Sequence, residues 1–177
     1  SKWQTTASKT VYKNPWITVR EDAIVRPDGS QGIYGVLEVK PSAFIVALNS
    51  DQKVLFVRQY RYPTQQLSWE IPAGGCENDE PLVAAKRELQ EETGFAAGDW
   101  QAAGSFYPNN GLSTEKSFVF IAQELTETGK DKKIEDGIEK VASFSWSEID
   151  SMLLSGELDD GQVISSLALA RLFLQQK

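Results

Sequence analysis

A mixed α/β fold, a sheet with helices laid against it, is predicted by three features of the sequence. Short segments rich in Val, Ile, Phe and Tyr recur between clusters of Pro, Gly and Asp, the signature of strands and turns. One stretch, 81–93, changes to a helical period, and a second helical stretch, roughly Gln162–Leu174, lies near the end of the chain.

The elements follow in order. "KTVYKN" and "WITVREDAIV", the turn "RPDGSQG" and then "IYGVLEV" read as a small antiparallel sheet. Pro41 marks a boundary, which separates an N-terminal β extension (1–40) from the main domain (41–177). "AFIVALN" and "KVLFVRQY", joined by "SDQ", read as a hairpin of buried strands, and "LSWEIPAGG" as a strand running into a glycine turn. The helix that follows has Pro81 in its first turn, Gly94 as its stop and Leu82, Ala85 and Leu89 as its inward stripe. "WQAAGSFY" and "KSFVFIAQEL" are strands around the turn "PNNGLS". "TETGKDKKIEDGIEK" is a polar loop and "VASFSW" a strand. "SEID" is a capping box, with Ser147 three residues before Asp150.

Composition narrows the chemistry. A chain of 177 residues is long enough to bury a substantial core. Its formal charge of −7 argues against non-specific attraction to nucleic acid. No apolar run approaches the roughly 18 residues of a membrane span, and "SKWQTTASKT" has no signal-like apolar core. Cys76 is the single cysteine, so no intramolecular disulfide exists, which fits a cytoplasmic location. The count of histidine is 0, which removes Ser–His and Cys–His nucleophiles and histidine-rich zinc sites. Carboxylates, Lys/Arg, hydroxyls or a metal held by oxygen remain, and oxygen ligands suit Mg²⁺, Mn²⁺ or Ca²⁺.

The helix 81–93 concentrates three glutamates, Glu88, Glu91 and Glu92, on one side. At about 100° per residue they fall within an arc of roughly 100°, beside the apolar stripe rather than opposite it. Glu88 and Glu92 are i, i+4 neighbours, and like charges at that spacing destabilise a helix. A solvated acidic face is the plain alternative, but such a face more often interleaves Lys or Arg. Hard oxygens gathered around a divalent cation account for the cluster economically. Arg87 lies elsewhere on the wheel, where it can brace a glutamate from the side.

"GGCENDEPLVAAKRELQEETGF" resembles the Nudix box, G-x5-E-x7-R-E-(apolar)-x-E-E-x-G-(apolar). Gly74, Glu80, Arg87, Glu88, Leu89, Glu91, Glu92, Gly94 and Phe95 occupy the pattern, with six residues instead of seven between Glu80 and Arg87. Asp79 is therefore the other candidate for the first acidic position. "QYRYPTQQLSWEIPAGG", "FYPNNGLS" and the late acidic loop are similar to the ADP-ribose pyrophosphatase and nucleoside diphosphate sugar hydrolase branch, from about Trp16 onward.

That resemblance implies an α/β/α sandwich with a mixed sheet and dependence on Mg²⁺, with Mn²⁺ as a substitute. It implies hydrolysis of the pyrophosphate bond of ADP-ribose or another nucleoside diphosphate sugar. Glu88 and Glu92 would be the main metal ligands, Glu91 would assist or bind a second ion, and the Ala73 carbonyl would complete the shell. A base or water-orienting carboxylate is expected from "KKIEDGIEKV", which offers Glu135, Asp136 and Glu139. Glu139, next to the following strand, is preferred and Glu135 is second. Arg61 matches a phosphate-binding arginine and Glu70 braces it or the metal shell. Asn109 and Ser113 match a ribose- or sugar-contacting loop, while Trp16 and Tyr34 match positions that stack on adenine. The family also implies a homodimer that shares its N-terminal sheets. Rival readings are a Nudix hydrolase of dinucleoside polyphosphates or nucleoside triphosphates, a non-catalytic nucleotide-sugar sensor, or a domain with a calcium-stabilised acidic turn.

Overall fold

Thr, Val, Ile and Tyr, broken by two short turns, build three strands at the N-terminus: β1 (Gln4–Lys13), β2 (Ile17–Val25) and β3 (Gln31–Val39). They pair antiparallel in the order β1-β2-β3. The β2–β3 turn closes because the Asp28 carboxylate accepts hydrogen bonds from the Ser30 N–H and hydroxyl, and Gly29 takes φ +86°. β1 begins earlier than its apolar residues predict. It is exposed along its whole length, so pairing with β2 rather than side-chain burial defines it.

The structure, a computed structural model, describes residues 2–129 and 137–176. It divides into two units, Ser1–Pro41 with Tyr107–Lys116, and Ser42–Phe106 with Ser117–Lys177. The "PNNGLS" segment thus groups with the N-terminal sheet: Leu37 N–H donates to the Leu112 carbonyl and Thr114 N–H to the Leu37 carbonyl.

The second unit contains β4 (Ser42–Ala47), β5 (Val54–Arg61), β6 (Gln66–Glu70), β7 (Ala73–Gly75), α1 (Pro81–Thr93), β8 (Phe95–Phe106), β9 (Ser117–Glu127), β10 (Ile138–Phe144), α2 (Trp146–Ser155) and α3 (Gly161–Gln175). One sheet is mixed, β7-β4-β9-β8, with β4 parallel to β9; the other, β10-β5-β6, is antiparallel. β4 has both faces buried. Phe44 and Val46 join a core with Ile149, Met152, Val163 and Leu167 of α2 and α3. Ala43, Ile45 and Ala47 join a second core with Ala84, Ala85 and Leu89 of α1. Helices therefore cover this sheet on both sides, and the predicted α/β class with an N-terminal antiparallel sheet is the one observed.

Three local expectations are corrected. β4 and β5 do not form a hairpin. The Asn49 side chain does close the "SDQ" turn by accepting from Asp51 and Lys53 N–H, but only Leu48 and Val54 bridge before the strands enter different sheets. Leu82 is not inward: it is 36% exposed, and Ala84 joins Ala85 and Leu89 in the buried stripe instead. The α2 capping box lies two residues earlier than "SEID" predicts, because β10 ends at Phe144 and Ser145 is the first residue to leave the strand. Ser145 Oγ accepts from Glu148 N–H at 3.3 Å and Glu148 Oε2 accepts from Ser145 N–H at 2.7 Å. Ser145→Ala is expected to cost about 1 kcal/mol, read as a lower urea midpoint with an unchanged slope.

Candidate active site

The strand–turn–helix of β7 and α1 carries the acidic cluster. α1 starts with Pro81 and stops at Gly94, whose φ of +77° lets its N–H return to the Gln90 carbonyl. Its last turn presses on β7, which buries Glu92 to 6% exposure. There Glu92 Oε2 accepts the Ala73 N–H at 3.0 Å. Loss of water pushes the Glu92 carboxyl up to about 8; the Ala73 N–H pulls it down, Glu88 pushes it up, Arg61 pulls it down and Glu70 pushes it up.

One turn earlier, Glu88 lies against the backbone of β7. A Cβ on Gly74 would overlap the Glu88 carboxyl carbon, so glycine is what admits that side chain. Arg87 occupies the outer flank. Its Nη1 is 2.5 Å from Glu88 Oε1 and 3.0 Å from Glu91 Oε2, and its Nη2 donates to the Gly75 carbonyl at 3.1 Å.

A second group forms on β5 and β6. Arg61 forks onto Glu70, with Nε donating to Oε1 at 2.8 Å and Nη2 to Oε2 at 2.5 Å. Gln59 Nε2 also donates to Glu70 Oε2, at 3.3 Å. Glu70 holds the Arg61 guanidinium above its ordinary pKa, against the opposing effect of burial, and Glu92 and Asp160 add attraction. Of the α1 carboxylates, Glu92 is the one that acts on Arg61. Asp160 caps α3 by accepting the Val163 N–H at 2.8 Å.

Gln59 and Asp160 are the members of this group that the sequence reading missed. A neutral amide in a strand carries no signal. Asp160 carries only a capping signal, two residues before the expected helix start.

The other predicted residues are placed as follows in the chain's elements. Glu139 is exposed at an irregularity of β10, between Ile138, which pairs with Gln59, and Lys140, which pairs with Arg58. Glu135 and Asp136 fall outside the described residues. Trp16, Tyr34, Asn109 and Ser113 belong to the first unit. Trp16 is 77% exposed, and Tyr34 donates its hydroxyl to the Gly111 carbonyl at 2.7 Å while its ring meets Trp3 edge-on. The Asn109 carbonyl accepts from Leu112 and Ser113 N–H, and Ser113 Oγ accepts from Glu115 N–H.

Among the described residues no three acidic or cysteine side chains already converge as a metal cage. The donor set nonetheless fits a hard divalent ion. Its side chains offer carboxylate oxygens, one of them desolvated beside a second carboxylate, with Glu88 cradled where a side chain at residue 74 would intrude. Arg87 is the cation that Glu88 and Glu91 hold here.

Three glutamates thus gather on α1, which packs on the mixed sheet, and a carboxylate-aligned arginine stands on β5 of the antiparallel sheet. The family follows from comparison. The chain belongs to the Nudix family: the NUDIX domain model matches residues 39–167, and the model of the nucleoside diphosphate sugar hydrolase N-terminal domain matches residues 3–37. It is 27% identical over 161 residues to an ADP-ribose pyrophosphatase of Bacillus subtilis, covering 90% of this chain and 87% of that protein. It is 34% identical over 133 residues to a GDP-mannose pyrophosphatase of Salmonella arizonae, covering 69% of each. A solved structure described as an ADP compounds hydrolase superposes with a TM-score of 0.88 at 20% identity, covering 99% of this chain and 96% of the other, and supports the fold.

Proposed function

We infer that this protein is a Nudix pyrophosphohydrolase that cleaves the pyrophosphate bond of nucleoside diphosphate sugars into a nucleoside monophosphate and a sugar phosphate. The observation that carries this reading is the oxygen donor set of α1: Glu92 is buried and tied to the Ala73 N–H, and Glu88 sits where a side chain at residue 74 would intrude, while Glu70 aligns Arg61 on β5.

Glu88, Glu91, Glu92 and the Ala73 carbonyl are the groups proposed to hold the divalent ion, Mg²⁺ or in its place Mn²⁺. When bound, such an ion neutralises phosphate charge and acidifies water. Arg61 anchors a phosphate through the guanidinium edge that Glu70 leaves open. Water oxygen joins one phosphorus as the bond to the bridging oxygen breaks. The proton of that water passes to a late carboxylate, for which Glu139 is proposed ahead of Glu135. Asn109 and Ser113 are proposed to contact the ribose or sugar, and Trp16 and Tyr34 the base. A homodimer and a cytoplasmic location complete the proposal. Among the described residues no helix is long and apolar enough to cross a membrane.

The test is a substrate panel with Mg²⁺ and identification of the fragments released. ADP-ribose or GDP-mannose is expected to give a nucleoside monophosphate and a sugar phosphate. Turnover confined to nucleoside triphosphates or dinucleoside polyphosphates would replace this reading with its rival, and saturable binding without products would indicate a sensor.

A further inference from the structure

We propose that Gln59 is a positioning residue for substrate binding, acting on Arg61 through Glu70; the inference rests on the reading of Arg61 as a phosphate anchor. Arginine has a long side chain with several rotamers, and its value as an anchor depends on how few of them it samples before substrate arrives. Glu70 restricts it by accepting from both Nε and Nη2, a fork that fixes the guanidinium plane.

The fork is only as rigid as Glu70. That carboxylate must reach obliquely along the sheet: in the β5–β6 register Glu70 stands opposite Val57, whereas Arg61 stands opposite Gln66. Gln59 lies between them on the same face of β5 and supplies the donor that holds Glu70 Oε2 midway. It is itself 4% exposed, paired across to Ile138 on the other side, so its amide has little freedom to wander. A buried glutamine whose side-chain bond goes to the acceptor of a functional arginine has a purpose that core packing alone does not require, since a leucine or methionine would fill the space without an amide needing partners.

The test uses the full chain with ADP-ribose and GDP-mannose as probes. Gln59→Met keeps the length and apolar bulk but loses the donor. It is expected to raise KM about tenfold with kcat within about twofold, because an anchor felt equally in ground and transition states shows in KM. In a Glu70→Gln background the same substitution is expected to add nothing, because Gln59 acts only through the Glu70 carboxylate. If Gln59→Met does not fold, Gln59→Asn keeps an amide that is one methylene too short to reach Glu70 Oε2, and a comparable KM rise is expected. An unchanged KM in the folded variant, or an undiminished rise on top of Glu70→Gln, overturns the inference while the hydrolase reading stands. Wild-type protein that turns over neither nucleotide sugar overturns the hydrolase reading and takes this inference with it.

Discussion

Glu92→Gln is expected to lower turnover of a nucleoside diphosphate sugar by roughly 10²–10⁴-fold and to leave the fold intact. The magnitude follows from the several kcal/mol that a well-held divalent ion contributes to a phosphoryl transition state. Glutamine keeps the side-chain oxygen that accepts the Ala73 N–H, so the tie between α1 and β7 survives. What it removes is a carboxylate that burial already disfavours in its charged form. A sign follows for stability without metal. The folded-state value of Glu92, about 8, lies above the ordinary 4.5, so its contribution is fully present below pH 4.5 and is lost as pH rises toward 8. Wild-type protein in chelator should lose stability across that window, and Glu92→Gln should lose less. Added Mg²⁺ should stabilise wild type most at the alkaline end, where the carboxylate is ionised, and should do little for the variant. Denaturant melts at several pH values, beside an activity assay, check all of this. A variant that melts as poorly as it turns over would reassign Glu92 to a structural role.

How much of this the sequence disclosed depends on the kind of physics involved. α1 was legible because helical periodicity, a first-turn proline and a stopping glycine are local, and the spacing of Glu88, Glu91 and Glu92 fixes their common side. Burial of one of them was not local. Glu92 is dry because β7 lies under the last turn of α1, and no spacing rule reveals that. The expected hairpin of β4 with β5 failed for a related reason. "AFIVA" has no alternation because both faces of β4 are covered, so the segment carries no hint of its neighbours. Its partners are β7 and, in parallel, β9, which lies 75 residues on at the Ser42–Ser117 pair. The short turn after Leu48 imitates a hairpin that long-range pairing overrides. Arg61 and Glu70 were singled out through the family resemblance alone, and their fork, and the amide behind it, depend on a register between β5 and β6 that the sequence leaves open.

The second large effect is an asymmetry between the two ends of that fork. Arg61→Met is expected to destabilise the protein by about 3 kcal/mol and Glu70→Gln by about 1 kcal/mol, although each breaks the same ion pair. The difference comes from burial. The Glu70 side chain is 6% exposed and the Arg61 side chain 46% exposed. Without Arg61, the Glu70 carboxylate keeps Gln59 as a donor and has almost no access to water. Without the Glu70 charge, the guanidinium can turn its freed edge to solvent. For a chain of this length about 3 kcal/mol corresponds to a fall in Tm of roughly 6–12 °C, well separated from the smaller loss. The double variant Arg61→Met with Glu70→Gln should recover most of the difference, since it leaves no buried charge behind. Activity should not follow that recovery. Both single variants lose the aligned guanidinium proposed to anchor phosphate, so KM for the nucleotide sugar is expected to rise in each and to stay high in the double variant, even as its melting temperature returns. Glu70→Gln melting below Arg61→Met, or catalysis recovering together with stability in the double variant, would show that Arg61 serves the sheet rather than the substrate.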